Sequence, residues 1–271
     1  MDRTGPDPCR TKYPVVFVHG IAFRDRTVLA RYWGDSVDYI KKSGGRAYYG
    51  GQDAFGTIQE NAAALKKRIM EIIDTTGCGK VNIIAHSRGG LESRYMISKL
   101  GMDGHVASLT TIATPHRGSV MADVIMKRLE PGSYLADAVD FYARVIGDRK
   151  PESYNAGMDL TVERMKKFNA DVPDSKNTYY QSYAACIDNA FPNPLWKRMY
   201  SIMKKYEGEN DGLVSVESAK WGEYRGMVDC RGKKLVSHAD IIGMHLITGS
   251  FCFKAPEFYV NLVHELKIKG Y

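Results

Sequence analysis

VNIIAHSRGGLE, residues 81–92, opens on four apolar residues out of five, passes a His-Ser-Arg corner and two glycines, and continues in helix-forming residues. A buried strand meeting a helix needs only a plain turn, so the serine at the corner calls for a reason. In a strand–turn–helix elbow, a serine on the sharp turn projects its hydroxyl beyond the sheet, provided its neighbours are small enough for strand and helix to approach. Ala85 lies two residues before Ser87, Gly89 two after and Gly90 three after. The usual G-x-S-x-G form is thus met with Ala in place of the first Gly, a difference of one methyl group.

Outward from this corner the same rhythm repeats. Strand-like apolar runs fall at 14–20 (PVVFVHG), 46–51, 81–87, 106–115 and 178–187. Several are apolar throughout, as expected of parallel strands covered on both faces. Between them, Trp33, Val37 and Ile40 recur at helical spacing, IQENAAALKKRIMEIIDTTG stops at a glycine, and a third helix runs through Leu91, Tyr95 and Leu100. Alternating strands and helices predict an α/β fold with a mainly parallel sheet of about six strands flanked by helices. Ligands of such sheets bind beyond the carboxyl ends of the strands, where His19-Gly20 and His86-Ser87 fall. After TPHRGS (114–119) the rhythm breaks, and about 120–175 reads as helices only, including an amphipathic one from about Ser133 to Ile146. The expected organisation is a single domain over 1–271 with a helical cap or lid inserted at about 120–175; the alternative is that these helices merely cover one sheet face.

The chain has 271 residues, 44% hydrophobic, enough for one substantial core. Its formal charge of +7 comes from scattered Lys and Arg with no dense stripe or motif, which argues against nucleic acid as a partner. No apolar run approaches the roughly 20 residues of a membrane span. The polar start, MDRTGPDPCRTKYP, lacks the apolar core of a secretory leader; as given, the chain is expected in the cytoplasm, or secreted if a leader has been removed. Five widely spaced cysteines without a CxxC pair predict reduced thiols, with Cys186–Cys230 the one bridge considered.

A serine at its free pKa is a poor nucleophile and needs a base and a group to orient that base. Among seven histidines, His19 and His86 belong to strand ends, and the elbow is expected to turn His86 away from Ser87. His245 reads as structural and His264 belongs to a C-terminal helix. His238, in KLVSHADII, fits a loop at the sheet's edge and is the expected base. Asp211, in an Asn-Asp-Gly turn, is the expected acid, since Ser87, Asp211, His238 is the chain order such elbows use. Asp188 is the second choice; Asp229 and Asp240 are weaker. The oxyanion donors should be the backbone N–H groups of Arg88, after the serine, and of Ile21, in the loop after the first strand.

Taken in order, YPVVFVHGIAF, VNIIAHSRGG, ATPHRGS, NDGLVSVESA and SHADI resemble the bacterial triacylglycerol lipases and esterases of the α/β-hydrolase superfamily, of the Firmicutes and Pseudomonas type, from about Tyr13 to about Asp240. The resemblance implies an α/β-hydrolase fold and a Ser87, Asp211, His238 triad, with oxyanion donors at Ile21 and Arg88. It implies a lid over about 120–170, an ester or lipid substrate, and transient contact with a lipid interface. An acyltransferase or thioesterase with the same triad, or a catalytically silent binding module, are the alternatives. Many members hold a structural calcium through a carboxylate two residues after the histidine, here Asp240. The next ligand position falls on Met244, whose thioether does not suit a hard cation, so no cofactor and no metal ligand are expected.

Overall fold

The computed structural model describes residues 7–22, 24–25, 31–127, 148 and 152–271, with 246 and 247 as backbone. Six strands, β1 (Val15–Val18), β2 (Ala47–Tyr49), β3 (Val81–His86), β4 (Val106–Ile112), β5 (Tyr179–Ala185) and β6 (Glu223–Val228), form one sheet in the order β2-β1-β3-β4-β5-β6. All five adjacent pairs are parallel. The sheet, its helices and its strand number match the sequence reading. The sixth strand was not located there because its EYRGMV residues alternate between exposed and partly buried, as suits a charged edge strand.

Helices α1 (Ser36–Lys42), α2 (Ile58–Thr76) and α3 (Gly89–Lys99) connect the first four strands. Their chemistry sets their ends: Thr57 and Glu60 form a reciprocal capping box at the start of α2. Between β4 and β5 the described residues form α4 (Val120–Met126), α5 (Ser153–Met158) and α6 (Val162–Asp171). The expected helix at 133–146 lies outside the described residues. Then follow α7 (Pro194–Glu207), α8 (Val216–Ala219), α9 (His245–Thr248) and α10 (Ala255–Ile268).

Alternation along the strands feeds two cores. Val15 and Phe17 of β1 join Trp33, Val37 and Ile40 with Tyr259, Leu262 and Leu266 of α10 on one face. Val16 and Val18 join Leu65 and Ile69 of α2 with Met96 and Ile97 of α3 on the other. Phe17 meets Trp33 edge-on at 4.9 Å between ring centres, and truncating such a buried aromatic costs about 3–5 kcal/mol. This doubly covered sheet is the rigid base from which the loops at its carboxyl end project.

The cysteine expectation fails in one respect. Cys230 and Cys252 form a disulfide, with Cα atoms 5.8 Å apart, while Cys9, Cys78 and Cys186 are free. Cys186, one residue past β5, packs in a cluster with Ile187, Phe191 and Trp196 and stays free, so the Cys186–Cys230 bridge is not formed. Burial pushes the Cys9 and Cys186 thiols up to about 11, which keeps them protonated and unreactive near neutral pH.

Candidate active site

Ser87 stands between the last residue of β3 and the start of α3 with φ of 55°. A non-glycine residue in that region costs of order 1–3 kcal/mol and persists only where its surroundings enforce it. Here they do. The Ser87 N–H donates to the Ile112 carbonyl of β4, and Gly90 N–H donates back to Ser87 O. A Cβ on Gly89 would lie 2.4 Å from the His19 carbonyl and 2.6 Å from that of Val18. The elbow therefore closes only because α3 starts on glycine, the role expected from the sequence.

The loop after β1 passes over the serine. A Cβ on Gly20 would sit 2.8 Å from Ser87 Cβ, so glycine alone permits the approach. Ile21 follows, and Ala22, also at positive φ, donates to Ala54 O. Among the described residues, neither the Ile21 nor the Arg88 amide donates to a protein acceptor.

On the far side, Asp211 occupies a tight turn closed by its own carboxylate: Oδ1 accepts from Leu213 N at 2.9 Å and Val214 N at 2.7 Å. Its second oxygen, Oδ2, meets His238 Nδ1 at 2.8 Å, and His238 N–H donates to Asp211 O. His238 is thus held to Asp211 through both its ring Nδ1 and its backbone N–H. Asp188 instead accepts from Ala190 N–H, and of the two aspartates it is Asp211 that meets the His238 ring. The Ser87 hydroxyl is not hydrogen-bonded to His238; both side chains line one cavity of about 540 Å³ with Ile21, Phe55, Met121, Met126, Trp196, Leu213 and Met244. Such contacts are often long before substrate arrives and tighten around it.

Residues 12–130 match the family model described as "Putative serine esterase (DUF676)". The chain is 35% identical over 220 residues to triacylglycerol lipase 2 of Saccharomyces cerevisiae, spanning 78% of this chain and 62% of that protein. It is 30% identical over 178 residues to a triacylglycerol lipase of Pseudarthrobacter phenanthrenivorans, spanning 61% and 55%. The chain thus spans somewhat more than half the length of these relatives. Among solved structures, the mature Bacillus licheniformis lipase BlEst2 superposes with a TM-score of 0.68 at 24% identity, over 97% of this chain and 96% of the other. The chain has the α/β-hydrolase fold of these lipases.

Several side chains of this hydrolase fold behave differently from their sequence reading. His86 does not turn away: it lines the cavity, its ring centre 4.4 Å from that of His238. Its Nδ1 lies 2.7 Å from Tyr32 Oη, which in turn accepts from Gly20 N–H at 2.9 Å. Burial, and then the neighbouring His238, pull its pKa well down, which favours the neutral ring. Tyr32 itself was missed; its only sequence signal was its place beside Trp33 in an apolar stretch.

The side chain of Arg88 runs into the interior, where Nη2 lies 3.0 Å from Glu92 Oε1, both groups buried. His116 of TPHRGS is structural. Burial, then Arg94 and Arg117, lower its pKa; Nε2 bonds Thr111 and Nδ1 faces Arg94, whose guanidinium stacks 3.6 Å over Trp221.

The calcium position is filled by protein. Asp240 is fully buried and accepts from Ser237 N (2.9 Å) and Oγ (2.7 Å), from Thr248 Oγ1, and faces His245 Nδ1 at 3.3 Å. With its oxygens engaged and Met244 at the next position, these residues do not fit calcium. Among the described residues no group of three or more His, Cys, Asp or Glu could hold a metal ion, and no helix is long and apolar enough to cross a membrane.

Proposed function

We propose that the chain is a serine hydrolase of carboxylic esters, acting on acylglycerols or simple acyl esters. The observation that carries this reading is Ser87, at positive φ on its elbow, sharing one apolar cavity with a His238 oriented by buried Asp211. In the proposed cycle His238 Nε2 takes the Ser87 proton as Oγ attacks the ester carbonyl. The oxyanion forms against the Ile21 and Arg88 N–H groups, His238 returns the proton to the leaving alcohol, and water then cleaves the acyl-enzyme by the same route. Asp211 orients the ring and steadies the imidazolium that forms in each half.

The cavity's size suits a small ligand, and its Met, Leu and Phe walls suit an acyl chain. Helices α4 and α5 supply Met121, Ile125 and Gly157 to its wall, which supports reading 120–175 as a cap on a single hydrolase domain. Exposed Ile125 and Leu195, together with Phe251, support transient contact with a lipid surface. The Cys230–Cys252 bridge supports an oxidising compartment, hence export, over the cytoplasm.

The test is labelling with a fluorophosphonate and hydrolysis of p-nitrophenyl esters of increasing chain length. Ser87 is expected to be the labelled residue and Ser87→Ala to be inactive; an unlabelled Ser87, or full activity in that variant, would sink the reading. A rate jump above the substrate's solubility limit marks a lipase, and preference for short soluble esters an esterase.

A further inference from the structure

The two oxyanion donors come from segments that no backbone ladder joins. The β1–β3 ladder ends at Val18 opposite Ala85, and beyond it the Ile21 loop and the first turn of α3 are separate. Between them lies a buried polar chain. Gln52 Nε2 donates to His19 O at 3.1 Å and to Glu92 Oε2 at 3.2 Å. Both partners are acceptors, which fixes the amide's orientation. The Gln52 backbone carbonyl in turn lies 3.0 Å from His19 Nε2.

Glu92 is one helical turn beyond Arg88, and its other oxygen receives Asn61 Nδ2 at 2.8 Å and faces Arg88 Nη2 at 3.0 Å. Asn61 grips the same loop, bonding both the N–H and the carbonyl of Asp53. Gln52, Glu92 and Arg88 are each almost wholly buried, and an interior carboxylate is stable only when paired and hydrogen-bonded in this way.

The consequence concerns one peptide unit. The His19 carbonyl and the Gly20 N–H belong to the same plane; Gln52 holds its oxygen edge and Tyr32 Oη its nitrogen edge. With that plane fixed, the two dihedrals of Gly20 aim the Ile21 N–H, and the Gly20 carbonyl of that next plane lies 2.7 Å from His19 Nδ1. We infer that Gln52, anchored by Glu92 on α3, is a positioning residue that sets the Ile21 donor against the Arg88 donor. Glu92 sits on the helix that begins at Arg88, so one clamp registers both halves of the oxyanion site.

This inference rests on Ser87 being the nucleophile, and the experiment separates the two. Gln52→Met keeps length and removes the donor; Gln52→Asn withdraws the amide by one methylene and serves if the first does not fold. Removing an oxyanion donor outright lowers kcat by about 10²–10³, so loss of its positioning should lower kcat by roughly 10–100-fold with KM little changed. Affinity for an alkyl boronic acid, whose tetrahedral adduct on Ser87 needs the same N–H groups, should fall by the same factor.

Ser108→Ala, which removes a buried bond to Asn82 Oδ1 inside the sheet, is the control and should keep kcat. A folded Gln52 variant with kcat within about twofold of the parent, or a fall not mirrored in boronate affinity, overturns the clamp alone when Ser87 of the parent still takes the fluorophosphonate label. An unlabelled parent overturns the nucleophile assignment instead.

Discussion

From His19 to Glu92, the elbow side of the cavity is fixed by buried side chains on elements continuous with the sheet: β1, β3, α2 and α3 meet through Gln52, Asn61, Glu92 and Arg88. The acid–base side, from Cys186 to Phe253, is built on connections beyond β5 and β6. There the order comes from the Asp211 turn, the Asp240 cage and the Cys230–Cys252 bridge. In the proposed mechanism the first side must hold two backbone donors in register, a task that suits rigid packing. The second must aim one ring, for which a single carboxylate and a stapled loop suffice. Perturbing the first should therefore change the chemical step, whereas most perturbations of the second should change stability, with Asp211 the exception.

That exception carries the largest expected effect. Asp211→Asn leaves the turn-closing oxygen and alters the partner of His238 Nδ1; loss of the correct tautomer lowers kcat by about 10⁴-fold in comparable triads. Steady-state kinetics should show such a loss with an unchanged unfolding temperature, and Asp188→Asn should be silent. Activity surviving in Asp211→Asn would remove the acid from this side altogether.

Next comes the bridge. A 22-residue separation between Cys230 and Cys252 corresponds to about 3 kcal/mol of loop-closure stabilisation. The Cys230→Ser/Cys252→Ser variant should unfold roughly 6–12 °C lower yet keep kcat at 25 °C. A large loss of kcat at that temperature would mean that the staple aims His238 as well as retaining it.

On the elbow side, Gly89→Ala should do the reverse. The added Cβ meets two backbone oxygens that cannot swing aside, and overpacking of this kind costs about 1–3 kcal/mol. The relief is a shift of Ser87 and the Arg88 amide, so kcat should fall further than the unfolding temperature suggests. Gly104→Ala, with open space around its Cβ, is the neutral comparison. Equal kcat in the two would show that the elbow tolerates movement.

What could be read in the sequence follows the same division. Ala85, Ser87, Gly89 and Gly90 were legible because a sharp strand–helix join leaves few choices of residue, and Asp211 because chain order and an Asn-Asp-Gly turn coincide. The destination of the Arg88 side chain was not, although Glu92 four residues on is a spacing that places both on one helix face. Gln52 and Tyr32 carry no local pattern, since their roles depend on where loops from different strands meet. Cysteine pairing was illegible because spacing does not determine connectivity, and β6 because an edge strand need not be apolar.

The smallest expected effect is a null that sharpens the acid–base side. A calcium ion present at a hundred times its Kd would add about 2.7 kcal/mol, or roughly 5–11 °C for a chain of this size. With Asp240 already satisfied by Ser237, Thr248 and His245, a cation there would have to displace those donors without gaining a further carboxylate at Met244. Calcium or EDTA should therefore leave the unfolding temperature of the parent unmoved. Asp240→Asn should lower it in both, because the amide cannot accept from all those partners at once. A calcium-dependent rise in the parent would mean that the loop behind His238 is held by a metal after all, and that the hydrogen-bonded cage is only its resting form.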